Sequence, residues 1–547
     1  MRPGATNDTG NGQRLLKHFG ADLLHVRDVG WHAWADTHWR REGGLEIATR
    51  CAQMTAARIL LEADVMAATP IEQRMIDAGA EARDALAALD KIKDQSDEQR
   101  SKRKQLLTTI ETGDAAAGLL KVRQIARRKY SVSSGNAGKI KGMIDQALPH
   151  RTVTVDNLDA EKLALNVMNG TLRFVYEEVL DPDAPDHSTK TIKQYRVELK
   201  SHDRADHITK VAPVEYDPAA KCPTFDASLN RFQPIAAVRA FLQRYHGYAL
   251  TGETGEQCLI FNYGNGSNWK STFIEIVSRI MGPYAQTIPF ESLSGDVQKS
   301  GSQASPEFAR LPGARLVRAS EPDRGVQFRE GLIKSLTGGE PMLTRANFKD
   351  FFEFRPDFKL VLSGNHKPEI SGVDHGIWRR MYLVPWPVKI AKSEKRAMSE
   401  VMAELWPERS GMLNWLIAGT LDYLNGGLQA PQEVIDATAA YQEEMDPVGA
   451  FVSMCVVSVL PGPDGRVETV SARAMFDAFV SWADVNAVRP WKEKSFATAM
   501  TEKGFTKEKH RDGMRYLNVK LKNVQEAPRR RRDDEPPHPA NSDIVPL

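Results

Sequence analysis

The sequence predicts a multidomain α/β protein. Its centre reads as a sheet carrying a phosphate-binding loop, with a helical and β-rich region before it and a helix–helix–hairpin module after it. Three observations predict this. LIFNYGNGSNWKSTFIEI, from Leu259 to Ile276, sets a Gly/Asn-rich turn between an apolar run and an amphipathic helix. Further apolar runs follow, each with a polar residue at one end. Near the carboxy terminus two amphipathic helices precede two β-like runs around Asp512-Gly513, a dipeptide suited to a tight hairpin.

Bulk properties bound the answer. A chain of 547 residues has room for several domains with sizeable cores. Its 73 Lys+Arg against 71 Asp+Glu neither demand nor exclude a nucleic-acid partner, so local clusters must decide. Cys51, Cys222, Cys258 and Cys455 are scattered, without paired spacing for zinc or a disulfide framework. Reduced thiols in a cytosol are expected. The start, MRPGATNDTGNGQ, lacks the apolar centre of a signal peptide. No apolar run approaches ~18 residues, so the expectation is a soluble cytoplasmic protein without a membrane partner.

Taken in order, 1–150 opens with GWHAWADTHWRRE, where Trp31, Trp34 and Trp39 flank an Asp36-Thr37 turn. A small hairpin is predicted; its tryptophans either stack on bases or pack a mini-core. From Leu45 to Ile144 the pattern is helical and charged. DKIKDQSDEQRSKRKQ, Asp90 to Gln105, mixes both signs with few apolar residues, which predicts a solvated helical arm. KVRQIARRKY, Lys121 to Tyr130, is a polar helix face or a nucleic-acid contact. In 151–222 the runs RTVTV, GTLRFVYEEVL and YRVEL predict a small β-rich platform. Helices lead into the central domain, 223–390; a helical linker, 391–440, and the terminal module, 441–525, follow. The proline-rich, charged tail, 526–547, is expected to be disordered.

The central domain carries the chemistry. Phosphates are held by backbone N–H groups, the positive end of a helix and a lysine. Gly264, Asn265, Gly266, Ser267, Asn268, Trp269, Lys270, Ser271 and Thr272 supply such a loop, with Ser271 positioned as a Mg²⁺ ligand. The Walker A pattern GxxxxGK[ST] wants glycine where this chain has Trp269. An indole there either crowds the β-phosphate and weakens binding, or points outward onto adenine or a neighbouring subunit. Trp269→Gly is therefore expected to preserve or raise activity. ARLVRASE ends in Glu321, suited to hold Mg²⁺ through water and polarise the attacking water. FKLVLSGN ends in Asn365, suited to orient that water. GIWRRMYLVPW places Arg379 and Arg380 before another strand, where an arginine would reach a neighbour's nucleotide. This succession is the plan of an additional-strand P-loop ATPase.

At these residues the chain resembles the superfamily 3 helicases of the phage/plasmid primase-helicase type, related to the poxvirus primase-helicase. The likeness is carried by GYALTGETGEQCLIFNYGNGSNWKST, RLVRASE, IKSLTGGEPMLTRANFKDFFEFRPDFKLVLSGNHKP and GIWRRMYLVPW, with NVMNGTL and YDPAAKCPTFDASL upstream. It implies an AAA+-like core that hydrolyses ATP with Mg²⁺ and a ring, a hexamer, with ATP between subunits. It further implies that single-stranded DNA threads the ring and that the protein moves along that strand 3′ to 5′. Lys270 and Ser271 match the Walker A lysine and hydroxyl, Glu321 the Walker B acid, Asn365 the sensor, and Arg379 or Arg380 the finger. In TGGEPMLTR this chain has Glu340 where the family usually has aspartate. The next segment is a pore hairpin in the family, which places Arg345 and Lys349 against phosphates, with Phe348 or Phe351 beside them or buried within the hairpin.

The terminal module has winged-helix order. Lys492, Lys494, Lys503, Lys507, Lys509, Arg511, Arg515, Lys520 and Lys522 outnumber Glu493, Glu502, Glu508 and Asp512. A basic second helix and wing suit duplex DNA; a protein-docking module is the other reading. No acidic pair with a partner histidine marks a polymerase site, so a separate primase or initiator is expected. The expected role is a helicase on single-stranded and forked DNA, encoded by a phage, prophage or plasmid in a bacterial cytoplasm. The alternatives are an initiator or loader that binds ATP without unwinding, and an ATP-driven nucleic-acid sensor.

Overall fold

The computed structural model describes residues 5–182, 189–295, 306–320, 326–345, 351–370, 375–460 and 467–522. The chain divides into two compact units. One comprises Met1–Asp217, Ile280–Tyr284 and Leu343–Phe354; the other Pro218–Arg279, Ala285–Met342 and Arg355–Leu547. All four cysteines are unpaired and buried. Among the described residues no helix is long and apolar enough to cross a membrane.

In the first unit the tryptophan-rich stretch folds as strands Leu23–Val26, Gly30–Trp34 and Trp39–Arg40, joined in parallel by Thr152–Val153. RTVTV thus belongs to this sheet rather than to the platform that follows. Trp34 opposes Trp39 across the hairpin, their rings edge to face at 5.5 Å. Trp39 is buried and its indole N–H donates to the Arg204 carbonyl at 2.9 Å. The Arg204 guanidinium covers Trp34 at 5.1 Å. Trp31 and Trp39 are buried in cores, and the partly buried Trp34 lies under the Arg204 guanidinium, so packing is the reading the hairpin supports.

The charged stretch forms two antiparallel helices, Pro70–Leu89 and Asp97–Ser134. Each starts with a capping box, Thr69 with Glu72 and Ser96 with Gln99, which satisfies two otherwise orphaned N–H groups. They touch backbone to backbone at Gly79 and Gly113: a Cβ on Gly113 would lie 2.8 Å from the Met75 carbonyl. The basic run is paired from within. Arg123 grips Glu72 at 2.6 Å, Arg127 reaches Glu62 at 3.2 Å and Arg128 reaches Asp64 at 2.8 Å. The three-stranded antiparallel sheet Ala164–Val167, Gly170–Leu180 and Thr191–Lys200 is more ribbon than platform. Leu172 and Phe174 are buried at its base, whereas Glu177, Glu178 and Leu180 are exposed.

The second unit is built on a five-stranded sheet. Its order is Met381–Pro385, Leu259–Tyr263, Lys359–Gly364, Leu316–Ser320, Ala285–Thr287, all parallel. Strands covered on both faces read as continuous apolar runs, and LIF and KLVL are buried throughout. Helix Ala236–Tyr248 packs on the sheet, where the Tyr245 hydroxyl donates to the Leu360 carbonyl at 2.9 Å. It meets helix Arg409–Gly426 closely enough that a Cβ on Gly247 would lie 2.2 Å from the Thr420 nitrogen.

The terminal module belongs to this second unit. Strand Thr469–Ser471 precedes helices Ala472–Val485 and Glu493–Glu502 and pairs with the hairpin Lys507–His510 and Gly513–Leu517. Phe451, Phe479, Trp482, Phe496 and Tyr516 fill its core. One expectation fails in detail. The second helix is not basic, since it holds Lys494 against Glu493 and Glu502. Lys492 and Lys503 only bracket it, and Lys503 is bound to Asp446.

Candidate active site

The strand Leu259–Tyr263 delivers the chain into the Gly264–Asn268 turn, and helix Lys270–Met281 leaves it. Gly264 admits no side chain: a Cβ there would lie 2.0 Å from Nδ2 of Asn268 and 2.7 Å from the Trp386 carbonyl. Gly266, Ser267 and Trp269 have φ of 80°, 50° and 67°. Three left-handed residues within four positions, Gly266 and Ser267 consecutive, make a tightly curled turn of the kind whose amides suit anionic oxygens, and the Gly266 amide donates to the Gly264 carbonyl at 2.8 Å. The turn is braced from the next strand. Nδ2 of Asn268 donates to the Trp386 carbonyl at 3.3 Å, and the Ile390 amide donates to the Ser267 carbonyl at 2.6 Å. Asn265 and Ser271 are exposed; Asn268 and Thr272 are buried.

Trp269 does not point outward. It is 6% exposed, with its indole stacked on Phe232 at 5.6 Å and flanked by Phe225 at 6.1 Å and Phe273 at 6.4 Å. This removes both the adenine-stacking and the neighbour-stacking alternatives. Left-handed backbone costs a non-glycine residue about 1–2 kcal/mol. Burial of an indole returns on the order of 4–6 kcal/mol. Packing wins, so the absent glycine is replaced by an anchor rather than by an obstruction.

Lys270, the first residue of the helix, is 3% exposed. Its Nζ donates to the Asn365 side-chain oxygen at 2.7 Å, the Gly264 carbonyl at 3.2 Å and the Asn268 side-chain oxygen at 3.4 Å. Adjacent parallel strands, paired Tyr263 to Gly364, bring Lys270 and Asn365 together across 95 positions of sequence. The arginine pair is split by burial. Arg380 is 8% exposed and donates to the Gly376 carbonyl at 2.8 Å and Gln257 at 3.2 Å. Arg379 is exposed, with a looser 3.4 Å contact to the same Gln257.

Glu321, Phe348 and Lys349 lie outside the described residues. Arg345 and Phe351 fall in the first unit, near strands Met342–Thr344 and Phe352–Phe354, with the guanidinium 4.5 Å over a partly exposed ring. Among the terminal cations, Arg515 is tied to Asp512 at 2.6 Å and to the Thr469 hydroxyl at 2.9 Å. Lys507 lies 5.5 Å over Tyr516. Lys494, Lys509 and Arg511 are exposed. Among the described residues no group of three or more His, Cys, Asp or Glu side chains is arranged to hold a metal. The Ser271 hydroxyl, on the exposed first turn of its helix, fits a single-ligand role.

Sequence reasoning missed Gln257, Trp386 and the phenylalanines that receive Trp269. Phe225 and Phe232 are seven positions apart on helix Pro223–Phe232 and therefore share a face; that spacing was a usable signal. Nothing local marked Gln257.

Comparison with known proteins adds to this. The family described as D5 N terminal like matches residues 12–234. A "Putative helicase" of Acanthamoeba polyphaga mimivirus is 26% identical over 273 residues, which is 47% of this chain and 28% of that protein. Another, of Frog virus 3, is 27% identical over 287 residues, 49% of this chain and 28% of its own length. A third, of the Sputnik virophage, is 24% identical over 219 residues, 38% of this chain and again 28% of its own. The chain thus spans under a third of the length of these viral relatives. The apo structure of the NrS-1 C terminal region overlays 63% of this chain and 96% of that one, at 11% identity and TM-score 0.36. An overlap that loose says nothing about the site.

Proposed function

We propose, with the likeness to the primase-helicases as premise, that this chain is an ATP-dependent DNA helicase of superfamily 3. It would work as a ring on single-stranded and forked DNA, moving 3′ to 5′. The observation that carries the reading is the contact of Lys270 with Asn365 at 2.7 Å, beside a turn of left-handed backbone. A lysine bound to a polar amide is placed to take a terminal phosphate from one side while the amide orients water on the other.

In this reading the loop from Gly264 to Thr272 binds the triphosphate, and Lys270 exchanges its neutral partners for phosphate oxygens. Asn365, released from the lysine, holds the attacking water in line. Ser271 and Glu321 would hold Mg²⁺, which neutralises charge on the phosphates when bound. Arg379, exposed where Arg380 is buried, is the better finger toward a neighbour's nucleotide. The basic wing would grip the duplex ahead of the fork. A buried indole leaves the loop unobstructed, which favours turnover over the loader alternative.

The test is DNA-stimulated ATP hydrolysis and strand displacement on a forked substrate. Wild type is expected to do both. Lys270→Ala should abolish both, and Asn365→Ala should lower turnover by roughly a hundredfold while largely sparing ATP affinity. A wild-type protein that hydrolyses ATP but never separates strands would leave only the ATPase half standing.

A further inference from the structure

The structure assigns Trp269 a role that glycine could not perform: it is a positioning residue that presets the phosphate loop by anchoring it to the lead-in helix Pro223–Phe232. The inference rests on the ATP-binding reading of that loop and specifies how the loop is held.

Three observations converge on it. The backbone at Trp269, φ 67°, is the left-handed conformation that glycine adopts freely and other residues rarely do. The chain nonetheless holds it there, with the indole between Phe225 and Phe232 of the lead-in helix and Phe273 of the helix that leaves the loop. The anchor helix is itself fixed. The Glu408 carboxylate accepts from the Thr224 and Phe225 amides, both at 3.0 Å, and Phe225 meets Trp415 edge to face at 5.4 Å. Glu408 thus caps a helix start whose amides would otherwise be unpaired.

A glycine in the same place would leave the loop free to visit both signs of φ, and a ligand would have to order it on binding. A loop ordered in advance does not bear that cost, so affinity rises without any new contact to the ligand. The indole touches no phosphate; it acts through the direction it imposes on the Asn268, Trp269 and Lys270 amides. Trp269 is therefore a device for affinity, where the sequence pattern alone makes it a defect. On this proposal Trp269→Gly lowers affinity, where the sequence pattern alone predicts preserved or raised activity.

The experiment uses the full-length protein, with mant-ATP binding followed by fluorescence and ATP hydrolysis measured alongside. Trp269→Gly should raise the mant-ATP Kd and the KM for ATP together by about tenfold, with kcat changed much less. Trp269→Phe should recover most of that loss, because a phenyl ring still reaches Phe232. Phe232→Ala, which removes the anchor and leaves the loop sequence intact, should raise Kd in the same direction, and it serves if Trp269→Gly does not fold. Phe479→Ala, in the core of the terminal module, should lower the melting temperature without moving Kd. Wild-type Kd in both Trp269→Gly and Phe232→Ala, with Lys270→Ala unable to bind mant-ATP, overturns the inference alone. Unchanged binding in Lys270→Ala would instead remove the ATP-site reading itself.

Discussion

At Gly264 a single methyl group decides whether the loop closes. Its Cβ would occupy the space of the Asn268 amide, at 2.0 Å, and crowd the Trp386 carbonyl, at 2.7 Å. The Asn268 amide is bound to Trp386 and Lys270, and the Trp386 backbone is tied to Tyr263, so neither yields cheaply. Gly264→Ala is predicted to weaken ATP affinity by at least about tenfold while the melting temperature falls little, a split that calorimetry and nucleotide titration would read. His246 poses a different problem. It is fully buried, its Nδ1 faces the Leu242 carbonyl at 2.8 Å, and its ring stands edge-on to Phe273 of the loop helix at 4.9 Å. Burial holds its pKa down at about 4, against an ordinary value of 6.5. A folded pKa below the unfolded one means the unfolded state takes up the proton first. Stability held by the neutral ring is therefore complete above pH 6.5 and drains as pH falls toward 4. His246→Phe should flatten the fall in the urea midpoint across that window relative to wild type. An unchanged pH profile would show that His246 does not titrate on unfolding.

At the scale of elements, the sequence disclosed what depends on local pattern and hid what depends on distant partners. Continuous apolar runs marked the strands Leu259–Tyr263, Lys359–Gly364 and Met381–Pro385, because strands buried on both faces leave little polar alternation, and Leu316–Ser320 kept enough of the pattern to be read despite Arg318. The polar residues at their ends were legible for the same reason. The direction of the Trp269 indole was not, since it depends on a left-handed φ and on phenylalanines some forty positions earlier. Nor was the parallel pairing of Thr152–Val153 with His25 and Val26, which no local signal encodes. The terminal module shows how composition misleads when charge is counted across an element's boundary. Its second helix carries one lysine between two glutamates, and the cations cluster in the hairpin at Lys507, Lys509 and Arg511. Arg515, part of the same count, is already tied to Asp512 and Thr469. DNA binding by this module is therefore predicted to lie in the wing. Lys509→Glu with Arg511→Glu should lower duplex affinity by more than about tenfold at low salt and reduce the salt slope by roughly two, one per phosphate contact. Lys494→Ala should do less than half as much. Equal losses from helix and wing would favour a recognition helix in the groove.

For the whole molecule the question is whether one chain holds a complete catalytic site. Arg379 and Arg380 are neighbours in sequence yet differ in what they can reach. Arg380 is spent on the Gly376 carbonyl and Gln257, so its guanidinium fixes the turn before Met381–Pro385. Arg379 is exposed, with a 3.4 Å contact to Gln257. If the site is shared head to tail, the loop of one subunit meets Arg379 of the next, and each interface joins two different faces of the same chain. That arrangement makes a prediction no single-chain site can satisfy. Lys270→Ala and Arg379→Ala should each be inactive alone, one lacking the loop lysine and the other the finger. Mixed in equal amounts under conditions that allow subunit exchange, they should regain up to about a quarter of wild-type ATP hydrolysis, the fraction of interfaces that pair an intact loop with an intact finger. Arg380→Ala should behave differently, with a lowered melting temperature that no partner variant restores. If the mixture stays inactive while labelled subunits demonstrably exchange, Arg379 does not act across the interface, and the shared site must be abandoned even if ATP hydrolysis stands.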